Sequence, residues 1–178
     1  MRKLKLAYPL LGAILASSLV LGCGDDDDNP PASGKANVRV IHASYDAPAV
    51  DVAVDDSKAI TSLAYGKASG YAALDAGKRK VDVLPSAGGS AVISASLDLA
   101  RDTDYTVYAV NMLSSIEAIV STDARAPTSG KARIRFVHAS PDAPAVDIRT
   151  GSASGTAVFS DVAFKDIESY ADVDPGSY

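Results

Sequence analysis

The sequence predicts an all-β protein, built as a tandem repeat of immunoglobulin-like β-sandwiches in which the second copy is incomplete. Three observations carry this. Short apolar/polar alternations recur between Asp-, Gly- and Pro-rich turns, and no long segment has helical periodicity. Residues 34–52, GKANVRVIHASYDAPAVDV, return as residues 130–148, GKARIRFVHASPDAPAVDI, with 13 of 19 positions identical at an offset of 96. A period of this length suits a whole sandwich domain and is too long for a solenoid unit.

The strands of the first copy follow in order. Residues 38–42 form the first strand. In residues 50–54, Val50, Val52 and Val54 alternate with Asp51, Ala53 and Asp55, predicting a half-buried strand with the aspartates on a solvated face. Asp55 to Lys58 is a turn. Weaker strands follow at 59–63 and 69–74, then a turn at Asp75 to Lys78 and a clean alternation over 80–84. A Gly-rich loop at 85–90 precedes strands at 91–97, 105–110 and 116–120. Tyr105, after the acidic turn Asp102-Thr103-Asp104 and two residues before Val107, fits a tyrosine corner, whose hydroxyl bonds back to nearby backbone.

The second copy drifts by three residues, so that Tyr71…Gly77 corresponds to Tyr170…Gly176. The domain plan is a signal segment at 1–22, an acidic flexible tether at 23–35, a first repeat at 36–124, a linker at 125–130 and the N-terminal half of a second repeat at 131–178. That half reads as a fragment of a longer protein, in preference to a half-domain completed by another chain, because half a sandwich leaves an open edge and an uncovered apolar face.

The N-terminus predicts export. Arg2, Lys3 and Lys5 precede a mainly apolar run from Leu6 to Leu21. This is the layout of a secretory signal, and the run is shorter than the ~20 residues of a membrane span. Val20-Leu21-Gly22-Cys23 resembles the lipobox of bacterial lipoproteins. That resemblance implies lipidation of Cys23 and a diacyl or triacyl membrane anchor, each buried methylene contributing about 0.8 kcal/mol. Gly24 after the cysteine implies the outer membrane. Asp25 to Asp28 resembles an acidic surface-export signal and reads equally well as a solvated spacer. Cys23 is the only cysteine, so no intramolecular disulfide is available and the fold must be stable from burial alone.

Removing residues 1–22 leaves 14 basic and 22 acidic residues, a net of −8. That charge argues against nucleic acid as a partner and against electrostatic docking on anionic lipid. The expected partners are the membrane, through the lipid, and a protein or glycan met by end loops such as 64–70 and 85–90.

Both histidines fall in the repeated segment, and each has Asp four and nine residues beyond it: His42 with Asp46 and Asp51, His138 with Asp142 and Asp147. An imidazole and two carboxylates suit a divalent metal or general acid–base chemistry. The structural alternative weighs more. Asp46 caps a tight turn, Pro48 and Pro144 fix φ, Ser44 satisfies loop amides, and His42 lies on the inward face with Val38 and Val40. No third strong ligand and no paired nucleophile accompanies either set, so neither metal, cofactor nor catalytic residue is expected. Gly88-Gly89-Ser90 is too short to cradle phosphate.

His42 to Val52 and His138 to Ile148 resemble the HASPDAPAVDV signature of a bacterial family, domain of unknown function 4397, and the likeness extends over residues 36–178. Tyr45 departs from it where Pro is usual. The resemblance implies an extracytoplasmic, usually tandem, β-sandwich module and no established activity. The leading expectation is a non-enzymatic envelope lipoprotein serving display or binding. The rivals are a structural spacer carrying a distal domain and a metal-dependent enzyme using the His/Asp sets.

Overall fold

The computed structural model describes residues 34–178. The signal segment, Cys23 and all but the last two residues of the tether lie outside the described residues. The first repeat contains eight strands: β1 (Lys35–His42), β2 (Val50–Val54), β3 (Ser57–Leu63), β4 (Ala72–Asp75), β5 (Gly77–Pro85), β6 (Ile93–Leu99), β7 (Asp104–Val110) and β8 (Glu117–Asp123). They form two four-stranded sheets, ordered β4-β1-β7-β8 and β3-β2-β5-β6. The result is an all-β sandwich, with one strand more than the seven of a constant immunoglobulin domain. β1 runs parallel to β7 from Asn37↔Asp104 to His42↔Ala109, and the other pairings are antiparallel.

Local chemistry sets the corners. β2 and β3 are joined by Asp55 and Asp56, both at positive φ (47° and 64°), as a two-residue hairpin turn with primed geometry requires. Ser57 and Lys58, expected in that turn, already pair with Val54 and Ala53. The expected turn at Asp75 to Lys78 is instead a change of sheet: β4 ends at Asp75, Ala76 is buried, and β5 starts at Gly77 in the other layer. Gly77 has φ +101°, a conformation that L side chains rarely adopt. The expected strand at 69–74 is shorter and begins at Ala72, with only an isolated bridge at Ala68 before it. Tyr105 forms its corner, the hydroxyl oxygen accepting the Ala100 N–H at 3.0 Å.

The core lies between the sheets. Ala36, Val38 and Val40 of β1 meet Val50, Val52, Val81, Val83, Leu63, Leu99 and Val107. β1 alternates strictly, with Ala36, Val38, Val40 and His42 inward. β2 does not: Asp51 and Ala53 are buried as well as Val50 and Val52. The half-buried alternation expected there is therefore replaced by burial on both faces.

The second repeat repeats the first half of this plan with β9 (Ala132–Ile134), β10 (Val146–Arg149), β11 (Ala157–Val162) and β12 (Ala171–Val173). β9 pairs with β12 as β1 does with β4, and β10 with β11 as β2 does with β3. The bridge Val137↔Ile167 matches Ile41↔Ala68. Phe159 and Val162 are its buried apolar side chains.

Leu99 is 1% exposed and is the largest fully buried side chain of the core. Leu99→Ala is expected to destabilise the first repeat by about 2–5 kcal/mol, measured by denaturant unfolding. A loss below about 1 kcal/mol would contradict the core described.

Candidate functional site

The repeated segment forms the corner between the first two strands of each repeat. β1 delivers His42 to the inside at its last residue, where the ring is 0% exposed. Its two nitrogens are both engaged. Nε2 lies 2.9 Å from the Pro48 carbonyl oxygen, and Nδ1 accepts the Ser44 N–H at 3.4 Å. A carbonyl can only accept and an amide N–H can only donate, so the ring is held as the tautomer protonated on Nε2. His138 repeats the arrangement with Pro144 O at 3.2 Å and Ser140 N–H at 3.3 Å. Each ring also meets an aromatic edge, Tyr65 for His42 and Phe164 for His138.

The carboxylates expected beside the histidines are directed elsewhere. Asp46 Oδ1 accepts the Leu113 N–H at 2.7 Å, tying this loop to the turn between β7 and β8. Its expected role as cap of its own turn is thus replaced by a bond across loops. Ser44 donates its hydroxyl to Asp46, at 3.5 Å, rather than satisfying a loop amide, and Ser140 donates to Asp142 at 2.8 Å. Pro48 and Pro144 contribute the carbonyls that the imidazoles require. Among the described residues no three His, Cys, Asp or Glu side chains are grouped as metal ligands would be.

Asp51 corrects the expectation of a solvated face. It is 4% exposed. Oδ2 accepts from Lys58 at 2.6 Å, and Oδ1 accepts from the Ser62 N–H at 2.9 Å and the Ser86 hydroxyl at 2.6 Å. Those donors, Lys58 first, hold the carboxyl far below the ordinary carboxylate range. Ser62 has φ +54° at an irregular stretch of β3, so its N–H leaves the ladder and needs another acceptor. Asp147 does the same in the second repeat: it accepts the N–H of Asp161, also at φ +54°, and pairs with Arg149 at 2.7 Å. Its pKa is lowered, first by the Asp161 amide and then by Arg149. The second Asp of the repeated segment is therefore a clamp on a bulge. Alternation alone could not show this, because the bulge lies on the neighbouring strand.

What the sequence did not predict is that the two corners meet. Tyr45, Tyr65 and Gly66 of the first repeat and Ala139, Ser140 and Pro141 of the second line a cleft of about 330 Å³. Its lining contains no Asp, Glu, Lys or Arg. Tyr45 and Tyr65 are 51% and 54% exposed. Tyr45 and Pro141 occupy the same position of the two repeats, and between the corner's His and its second Asp this is where the copies differ. Of the two loops expected to recognise partners, 64–70 lines this cleft, while 85–90 turns Ser86 inward to Asp51.

Replacing His42 with Ala leaves the Pro48 carbonyl and the Ser44 amide without the ring that satisfies them. The expected loss is about 2–4 kcal/mol in chemical unfolding, and a loss under about 1 kcal/mol would refute the corner's role. For Asp51 the folded pKa is depressed. Its contribution is complete above the unfolded value near ~3.9 and is lost as pH falls below it. The urea midpoint of Asp51→Asn is accordingly expected to fall less than that of the wild type between neutral pH and about pH 2. Parallel curves would show that Asp51 does not contribute in this way.

Comparison with known families fits this geometry. The family model described as Domain of unknown function (DUF4397) matches residues 8–53 and 36–149, so the second match runs from the start of β1 through β10 and includes both signature corners. Comparison with curated proteins gives no match. The repeated His-to-Asp corner and the extent of the match agree: the chain belongs to the DUF4397 family of domains of unknown function.

Proposed function

We propose that this chain is a non-enzymatic cell-envelope lipoprotein, anchored through Cys23, whose sandwich repeats form a display or binding module outside the cytoplasm. The observation that carries the reading is the use of the signature itself. In both repeats the imidazole nitrogens and the carboxylates hold their own corner, bulge or neighbouring turn. No imidazole lone pair is left for a metal or for proton transfer to a substrate. The polar groups most suited to chemistry thus serve the scaffold.

Other features support the same role. The basic-then-apolar N-terminus ending in Leu21-Gly22-Cys23 is suited to export and acylation. The acidic residues 25–28 and Pro30-Pro31 suit a spacer that keeps a folded domain away from a lipid surface. The uncharged cleft with two exposed tyrosines is the surface best suited to a neutral protein segment or glycan, since tyrosine offers a flat apolar face with a polar rim.

The anchor is tested with the full chain in a bacterial host. Unaltered protein is expected in the membrane fraction with the mass of an acylated mature chain, and Cys23→Ser in the soluble fraction with no acyl mass. Undiminished membrane retention of Cys23→Ser would refute the anchor.

A further inference from the structure

Side chains of the second repeat reach the outer face of the sheet β4-β1-β7-β8 at β7 and β8. Arg39 alternates with the core residues Val38 and Val40 and stands on that outer face, beside its register partner Thr106. Thr106, Tyr108 and Ser121, on the same face, are nevertheless buried. Arg135 accounts for much of this. Its Nη2 donates to the Tyr108 hydroxyl at 3.2 Å and the Ser121 hydroxyl at 2.8 Å, and its Nη1 donates to the Thr122 carbonyl at 2.9 Å.

The centre of the contact is Asp123, the last residue of β8. Its two oxygens are divided between the repeats. Oδ2 accepts from Tyr71 at 2.6 Å and from Thr106, and lies 3.7 Å from the Arg39 guanidinium. Oδ1 accepts from Arg135, and from the Tyr170 hydroxyl at 3.4 Å. Arg135 and Tyr170 are the counterparts of Arg39 and Tyr71. In each repeat the guanidinium lies over the tyrosine ring, at 4.9 Å for Arg39 and 4.5 Å for Arg135.

We infer that Asp123 is an inter-repeat latch: equivalent Arg–Tyr pairs from the two repeats share one buried carboxylate, and this sharing makes the repeats a single body. Both ion-pair partners are shielded from water, with 8% of the Arg135 side chain and 5% of the Asp123 side chain exposed. Such a pair is held by geometry and by satisfied hydrogen bonds rather than by charge alone. Burial pushes the Asp123 carboxyl up; the bonds from Thr106, Tyr71 and Arg135 and the Arg135 charge outweigh it, leaving the carboxyl below its ordinary range. The Tyr71 hydroxyl is pushed up to about 12, by burial and then by its bond to Asp123, so it remains a donor at neutral pH. A second contact, Lys165 to Glu117 at 3.3 Å, sits at the other end of β8 and is exposed.

The test uses Arg135→Gln and Lys165→Met in the full chain. Trypsin can cut the connecting segment after Arg125 and Lys131. Without Arg135, nicking there is expected to accelerate roughly tenfold, and the radius of gyration from small-angle scattering is expected to rise. Unfolding of the first repeat should change little, because Arg39, Tyr71 and Thr106 still hold Asp123. Lys165→Met should leave all three readouts near wild type. Should Arg135→Gln fail to fold, Tyr170→Phe removes only the hydroxyl and is expected to speed nicking in the same segment by a smaller factor. Wild-type nicking and scattering in Arg135→Gln, or in Tyr170→Phe where Arg135→Gln does not fold, would overturn the latch.

Discussion

A buried imidazole whose two nitrogens are both committed fixes the corner from which the rest of each repeat is positioned. In the first repeat the ring spans from the end of β1 to the Pro48 carbonyl, so the chain must turn within six residues and enter β2 in a set register. That register places Asp51 opposite the irregular stretch of β3, where its carboxylate receives the Ser62 amide. Asp46, from the same loop, reaches the turn after β7. One ring, one carbonyl and two carboxylates thus connect β1, β2, β3 and the β7–β8 hairpin at one end of the sandwich. Polar groups of this kind, satisfied throughout, specify a conformation more sharply than apolar contacts do.

The interior they serve is modest. Valine dominates it, and Leu99 and Leu63 are its larger members. Valine side chains are stiff at χ1 and pack well on a pleated surface, which favours two flat layers over a deep core. With no disulfide within the fold, side-chain anchors at the corners take on part of the work of defining the structure. The Tyr105 hydroxyl bonded to Ala100, the Asp51 clamp and the histidine corner are three such anchors. Among buried side-chain polar atoms of the described residues, none lacks a partner.

Much of this was legible in the sequence. The alternation at Val38, Val40 and His42 gave β1 and the inward histidine, and the Asp-Thr-Asp-Tyr run gave the corner at Tyr105. Strand ends were less legible, because Ser57 and Lys58 have turn composition but pair in β3, where the two-residue turn before them already satisfies the geometry. Alternation assigns Asp51 to a face but does not reveal what lies over that face, because Lys58 and Ser86 are brought there only by folding. The duplication of Arg39 as Arg135 and of Tyr71 as Tyr170 was visible as letters. That both pairs meet at Asp123, which belongs to only one of the repeats, depends on how the two sandwiches dock and has no signature within either copy.

The docking is unequal on its two sides. The side-chain bonds across it run from Arg135, Lys165 and Tyr170 of the second repeat to β7 and β8 of the first. The strands β9 to β12 correspond to β1 to β4, so the two sides are built from different elements and the contact is heterologous rather than two-fold. Its inserting side, a guanidinium over a tyrosine ring, is present in both units, whereas the receiving carboxylate comes from β8. A copy of the first four strands alone therefore already carries the side chains that dock it onto a complete neighbour.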